Sequence, residues 1–365
     1  MLLSFFFKPK KIMSYSIMKV YLDPSTNVLY SSFYIDGLYK LLGKRNVIFN
    51  SKYFNGLSER KNCLLFVVQE DDNYKKVVVD YWDFQSIEEQ LYDWSDLYCK
   101  INYVSTKKDF LKKLVLIPPG FGIKVWGLTD SIIIGIENFI KCSFHVPVRK
   151  FFGKYYKQYS RLPVELYRNT CPVNNDIFFI STLWDEYFEE NSFMNAFRLN
   201  FIKACKELDS IRFEGGFVYS TEHNLASKYQ SYILENSIGI DEYLRKIKKS
   251  VVVFNTPAYG SCHGWKLGEY LAMGKAIIST PIINDLSVPL EHGKNIHFVS
   301  GEKEEIKDAI DYIHRNDSYR KKLEIGALDY YTNYIEPRQH VKLILEQLFK
   351  NSKDASKNIN NNSML

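Results

Sequence analysis

No run of roughly 18 consecutive apolar residues occurs in the chain, so no segment is long and apolar enough to cross a bilayer as a helix. Cysteine is sparse. The six at 63, 99, 142, 171, 205 and 262 never fall in a CxxC spacing, which argues against a disulfide framework or a zinc site and suits a reducing cytosol. A dense basic stripe is also missing. The formal charge of +6 fits a phosphate-bearing small ligand or an anionic membrane surface better than a dedicated nucleic-acid binder. Neither an internal repeat nor a long low-complexity tract is present.

What remains is a globular composition, 46% apolar and 25% charged, over 365 residues. That length predicts two domains of roughly 150–180 residues, each able to bury a core. Tyr and Phe dominate the aromatic content of 16%, part of which reflects the codon bias that raises Lys, Asn and Ile as well. The start, "MLLSFFFKPKK", has an apolar run too short for a secretion signal, with its charge after the run instead of before it. Residues 1–17 are read as a disordered start, and the Asn/Ser/Lys-rich stretch 351–365 as a disordered tail.

The first half alternates short apolar runs with helical segments. "KVYLD" (19–23), "NVIFN" (46–50), "CLLFVVQ" (63–69), "KVVVDYW" (76–82), "LYCKINYV" (97–104) and "KLVLIPPG" (113–120) read as strands. "SFYIDGLYKLLG" (32–43) and "QSIEEQLYDW" (85–94) read as helices, and the alternation predicts a largely parallel sheet. In the second half "DIFFIST" (176–182), "GFVYS" (216–220), "VVVFN" (251–255) and "NIHFVS" (295–300) are strands. The helix after the first of them has an expected buried face of Phe193, Ala196, Phe197, Phe201, Ala204 and Leu208. A second helix puts Ile240, Tyr243, Leu244 and Ile247 on one side, and three more are expected near 302–314, 318–334 and 337–349. Such β-α repetition is the signature of a doubly wound α/β domain. The expected organisation is α/β with two Rossmann-like domains facing a cleft. Its divisions are a first domain over 18–165, a linker over 166–175, a second domain over 176–335 and a helix over 336–350.

The segment "HGWKLGEYLAMGKAIISTP" (263–281) concentrates the chemistry. "VVVFN" should end at the C-terminal edge of its sheet, where open α/β folds place their ligands. The loop "TPAYGSCHG" (256–264) then leads into a helix whose N-terminal N–H groups and dipole suit a diphosphate. Gly264 permits close backbone approach. Lys266 is a cation in the first turn, where the dipole alone disfavours it and a phosphate would favour it. Glu269 faces the same mouth as Trp265, and a carboxylate can accept from the two neighbouring hydroxyls of a ribose. Leu267 and Leu271 should face the core, with Gly274 ending the helix in the left-handed conformation.

The segment "SCHGWKLGEYLAMGKAIIST" (261–280) resembles the donor-site segment of GT-B glycosyltransferases, two-domain enzymes that use nucleotide-activated sugars. In their retaining branch the segment carries a pair of glutamates. Glu269 matches the second, which in that family binds the ribose, while Gly264 and Gly274 match the glycines that begin and end the helix. The first glutamate's place is taken by Ser261, which leaves the stereochemical outcome and the sugar open. The resemblance extends over 251–349 in detail and over 176–251 more loosely. It implies a transferase moving a sugar from a UDP- or GDP-linked donor to a saccharide or lipid-linked glycan, in bacterial surface polysaccharide synthesis. A nucleotide-sugar epimerase and a non-catalytic nucleotide-sugar binder are the alternatives. The implied leaving group is stabilised by the helix dipole and local cations, so neither a metal nor another cofactor is called for.

Other candidates surround this segment. Thr182 and Ser181 end a strand where the family often contacts phosphate; Ser220 and Thr221 end another. Asn255, Thr256 and Tyr259 line the loop before the helix, as contacts to base or phosphate or as an ordinary turn. His263 could carry a proton beside the diphosphate or merely fill a loop. Glu291 and His292 could meet the donor sugar or lie in a solvated turn. For the base that activates the acceptor, Asp23 at the end of the first strand and Asp36 at the opening of a helix are the candidates, with Asp80 and His145 behind them. "PPGFGIK" (118–124) reads as an acceptor-side loop, and "QEDDN" (69–73) as a polar turn. "RKFFGKYYKQYSR" (149–161) interleaves basic and aromatic residues without an acid. It is a patch for an anionic membrane, a set of stacking and phosphate contacts for a nucleic acid, or an amphipathic helix with its aromatics on the core. The expected location is cytoplasmic, with peripheral contact at the inner face of the cell membrane. No nucleic-acid partner is expected.

Overall fold

The computed structural model describes residues 18–57, 60, 62–105, 111–142, 146–168, 175–184, 189–219, 227–236 and 238–362, with side chains from 191 within the fifth helix and up to 350 within the last. His145, Cys171, Ser220 and Thr221 lie outside the described residues.

The chain builds two α/β units. The first sheet has the order β2-β1-β3-β4-β5-β6, from β1 (Lys19–Leu22), β2 (Val47–Phe49), β3 (Cys63–Glu70), β4 (Asn73–Asp80), β5 (Leu97–Lys100) and β6 (Leu114–Leu116). It is mixed, where the alternation of runs predicts a largely parallel one. β3 pairs antiparallel with both β1 and β4. The cause is local: only Asp71 and Asp72 separate β3 from β4, Asp71 sits at φ 53°, and so short a link can only reverse the chain. "QEDDN" is thus a hairpin turn.

Among the described residues four α-helices accompany this sheet, α1 (Val28–Leu42), α2 (Glu89–Trp94), α3 (Leu128–Lys141) and α4 (Val148–Tyr159), with α3 packed on α4. α1 starts four residues before the segment that announces it, so Asp36 lies in mid-helix and does not open it. α3 was not anticipated by the apolar pattern at all. α4 sends Phe151, Tyr155 and Gln158 inward, as the core-packing alternative expects of part of its aromatics, while Tyr156, Arg149, Lys150 and Lys157 stay exposed.

In the second unit β7 (Asp176–Leu183) and β8 (Arg212–Tyr219) run parallel. β9 (Val253–Asn255), β10 (Ile277–Ser279) and β11 (His297–Phe298) form a parallel set in the order β11-β10-β9. The Val251 N–H donates to the Asp176 carbonyl at 2.7 Å and draws the two sets together. Around them pack α5 (Glu189–Lys206), α6 (Ile240–Lys249), α7 (Trp265–Ala272), α8 (Lys303–Arg315) and α9 (Asp317–Tyr330). α10 (Pro337–Asn362) returns to the first unit and lies on α1 so closely that a Cβ on Gly37 would stand 2.1 Å from the Pro337 carbonyl oxygen.

α5 keeps most of its expected face, with Phe201 and Ala204 buried and Ala196, Phe197 and Leu208 half-buried, but Phe193 is 56% exposed and the buried side extends to Asn191, Asn195, Arg198, Leu199, Ile202 and Cys205. Burying an arginine is costly unless its donors are met, and here they are. One apolar cluster joins the units, with Phe33, Phe121 and Tyr167 from the first meeting Leu267, Tyr270 and Met273 from the second. "PPGFGIK" is part of that seam and does not form an open acceptor loop. A Cβ on Gly122 would lie 2.8 Å from the Trp265 ring, and one on Gly268 2.9 Å from Phe121.

Candidate functional site

Loop 256–263 leaves β9, makes a short 3-10 turn at Tyr259–Ser261 and enters α7 through Gly264, whose backbone is extended at φ −75° and ψ 153°. No side chain caps α7, so its first N–H groups are not taken up by a capping residue. Gly274 closes the helix at φ 58°, as the sequence predicts. Leu267 and Leu271 are buried. Ser261 also has a positive φ, 65°, a conformation that costs a non-glycine residue about 1–2 kcal/mol. The Asn284 side chain holds it by donating to its carbonyl at 3.0 Å.

Arg198 organises the strand ends around this loop. Its Nε donates to Thr256 Oγ1 at 2.9 Å, Nη1 to the Thr182 carbonyl at 3.1 Å and Nη2 to the Pro257 carbonyl at 2.9 Å. All three acceptors are neutral, and among the described residues no carboxylate forms an ion pair with it. Burial lowers its pKa to about 10. Lys266 stands nearby with its ammonium on the Ile180 carbonyl and over the Phe179 ring at 5.1 Å. Burial first, and the Arg198 charge second, bring Lys266 down to about 7, with Glu269 partly opposing them. Two cations thus share one site.

Glu269 is not open to a ligand. It is 4% exposed; Oε1 accepts from Arg161 Nη2 at 3.2 Å and Oε2 from the Tyr243 hydroxyl at 2.9 Å. Burial raises its pKa, while Arg161, Tyr243 and Lys266 pull it back. The Arg161 guanidinium also lies 5.2 Å from the Trp265 ring, and Trp265 meets Tyr30 of α1 at 4.9 Å. Trp265 and Glu269 do share a face, as their spacing requires, and an arginine from the first unit occupies it.

The remaining candidates sort by position. His263 is buried; its backbone N–H donates to Asn102 Oδ1 of the first unit at 2.8 Å, and its ring Nε2 has no partner among the described residues. Burial lowers its pKa to about 4, so with no anion beside it the imidazole is neutral near pH 7, as the loop-filling alternative has it. Asn255 ties β9 to β10 through Ser279 Oγ at 2.9 Å, and Tyr259 packs between Phe84 and Trp184. Thr182 contributes its carbonyl to Arg198. The space bounded by Asn255, Thr256, Ser261, His263 and Gly264 is about 10 Å³, room for one water and no more.

In the first unit Asp36 is corrected as a cleft-side base. It pairs with Lys40 at 2.7 Å, on the face of α1 that meets Glu165 and Glu336. Asp80 is sealed between Lys100 Nζ at 2.9 Å and the Tyr98 hydroxyl at 2.6 Å. Asp23 ends β1, accepts from Ser25 and Arg60, and borders a cavity of about 760 Å³ lined by first-unit residues only. Glu291 forms an exposed pair with Lys294 at 2.7 Å, the solvated-turn alternative. Sequence reasoning missed Arg198, Tyr243 as a partner of Glu269, and Arg161 as its counter-ion. The spacing of Asn191, Asn195 and Arg198 along one side of α5 was the one signal available for the first.

No protein-family model and no curated protein matches the chain. Several solved structures are similar in outline. A glycosyltransferase from Rickettsia africae ESF-5 shares 14% identity over 74% of this chain and 69% of its own, at a TM-score of 0.40. HepE of Anabaena, solved with UDP and glucose, shares 11% over 71% of this chain and 66% of its own, at 0.38. Sucrose-phosphate synthase of Thermosynechococcus elongatus shares 11% over 73% and 63%, at 0.38. Among the described residues no helix is long and apolar enough to cross a membrane.

Proposed function

We propose that the chain is a glycosyltransferase that binds a nucleotide-diphosphate sugar in its second unit. The sugar passes to a saccharide or lipid-linked glycan held by the first unit, a step suited to bacterial surface polysaccharide synthesis. One observation carries this reading: Arg198 and Lys266 are cations placed together beneath the start of α7, and neither is ion-paired to a carboxylate among the described residues. Cations gathered in a dry site call for an anion, and a diphosphate at a helix N-terminus answers both features.

In this reading Arg198, Lys266 and the first N–H groups of α7 take the diphosphate and stabilise it as it departs, a role His263 does not fill while neutral. Glu269 takes the ribose once Arg161 has moved away, so the conformation described is closed and donor entry exchanges one partner of the carboxylate for another. Asp23, at the strand end of the first unit, is the remaining aspartate candidate for the acceptor's base. The reading calls for no metal.

The test is a thermal-shift and calorimetric screen of UDP-, GDP- and CMP-sugars on the wild type, Lys266→Met and Glu269→Ala. A UDP- or GDP-sugar should stabilise the wild type. Lys266→Met should weaken binding by about 10–100-fold, the worth of one charge-assisted contact. Equal stabilisation of wild type and Lys266→Met would sink the assignment. Labelled donor supplied with and without acceptor then separates transfer, isomerisation and binding alone.

A further inference from the structure

α3 is turned inside out. Its buried residues are Ser131, Gly135 and Asn138, the last donating its side-chain amide to the Tyr155 hydroxyl at 2.9 Å. The aliphatic residues point the other way: Leu128, Ile132, Ile133, Ile136 and Ile140 are each 48–57% exposed. Their spacing of three and four residues places them along one side of the helix. On α4, Val148 and Tyr156 are exposed at the same helical spacing from Phe152, which packs near Gly135 and Phe139. The apolar strip therefore continues from one helix to the next. An amphipathic helix in water sends such residues inward, and an uncovered strip of this extent marks a surface that meets something apolar.

The exposed charges that α4 brings to the strip are all cations, while α3 itself carries exposed Asp130 and Glu137. Residues 141–160 carry five lysines and arginines and no acid. Arg149, Lys150 and Lys157 are exposed, and Lys141, Lys150 and Lys154 also edge the 760 Å³ cavity. Of the acids on α3, Glu137 is held by Lys141 at 3.5 Å and Asp130 stands in the first turn.

We propose that the α3–α4 face docks on an anionic lipid bilayer, the isoleucines of α3 entering the acyl boundary and the cations of α4 meeting headgroup phosphates. An aliphatic strip without hydrogen-bonding groups, bordered by cations, is complementary to that boundary. The surface is independent of the donor site, since none of its residues touches α7.

The full-length chain is to be sedimented with phosphatidylcholine vesicles, with and without phosphatidylglycerol. It should sediment with the phosphatidylglycerol vesicles and be released by salt. Ile132→Ser with Ile136→Ser should lower the vesicle partition by at least about tenfold. Lys150→Glu with Lys157→Glu should remove the preference for phosphatidylglycerol. These side chains are exposed, and unchanged melting temperature and nucleotide-sugar binding confirm that the variants fold and that the donor site is untouched. A wild type that stays in the supernatant, or an isoleucine variant that partitions equally well, overturns the proposal. So does a wild-type dimer by light scattering that the isoleucine variant dissolves, because the strip then belongs to a second copy.

Discussion

Glu269 shows how far a single side chain can be read. That an acid sits one turn into a buried helix is plain from the sequence, and that an acid there must be compensated follows from solvation. Its compensators, Arg161 and Tyr243, lie 108 and 26 residues away and have no local signature. Arg161→Ala should cost about 2–3 kcal/mol in urea unfolding, because it leaves the carboxylate buried with Tyr243 alone, whereas Glu269→Gln should cost less. A smaller loss for Arg161→Ala than for Glu269→Gln would show the pair is not coupled as described. Lys266 makes a pH prediction. Its folded value, about 7, lies below the unfolded one, so between them the unfolded state binds more protons and this group's contribution to stability rises with pH. An anion that restores the ammonium must therefore take up a proton at pH 8. Calorimetry in two buffers of different ionisation enthalpy should show that uptake, and Lys266→Met should abolish it.

Among elements, α7 was the most legible because its signals are local: a glycine cap, a 3.6-residue apolar period and a left-handed glycine stop. α5 was legible as a helix and through Phe201 and Ala204, but not at its start, since Phe193 is as apolar as the residues that are buried, and only the neighbouring strand ends select Arg198. α3 went unseen because its inward face is Ser131, Gly135 and Asn138. On α10, His340 is wedged against Phe33 and Tyr34 with both ring nitrogens unpartnered among the described residues, and burial lowers its pKa to about 3. The unfolded chain binds the extra proton between about pH 6.5 and 3, so stability from this group is present above that window and lost as pH falls through it. His340→Phe should flatten acid unfolding there, each pKa unit being worth about 1.4 kcal/mol. An unchanged pH profile would mean the imidazole reaches water. Gly37→Ala should destabilise the α1–α10 contact by at least about 1–3 kcal/mol, the usual cost of overpacking.

The whole molecule is tied by an apolar cluster that crosses from the first unit to the second. We therefore expect one cooperative calorimetric transition rather than two, and two resolved transitions would show the seam to be weak. If Glu269 takes the ribose as proposed, donor binding shifts Arg161 from Glu269 and from the Trp265 ring, which should change tryptophan fluorescence in the wild type and not in Trp265→Phe. Sequence alone determined the α/β class, most strands, and the helix that Gly264 begins and Gly274 ends, because each depends on residues within a few positions of one another. Tertiary structure alone decided that β3 and β4 make the first sheet mixed, that Arg198 and Lys266 meet, that Arg161 closes over Glu269, and that the isoleucines of α3 face outward. Those outcomes turn on which distant surfaces come together to exclude water, and a periodicity read along one strand of sequence carries no term for them.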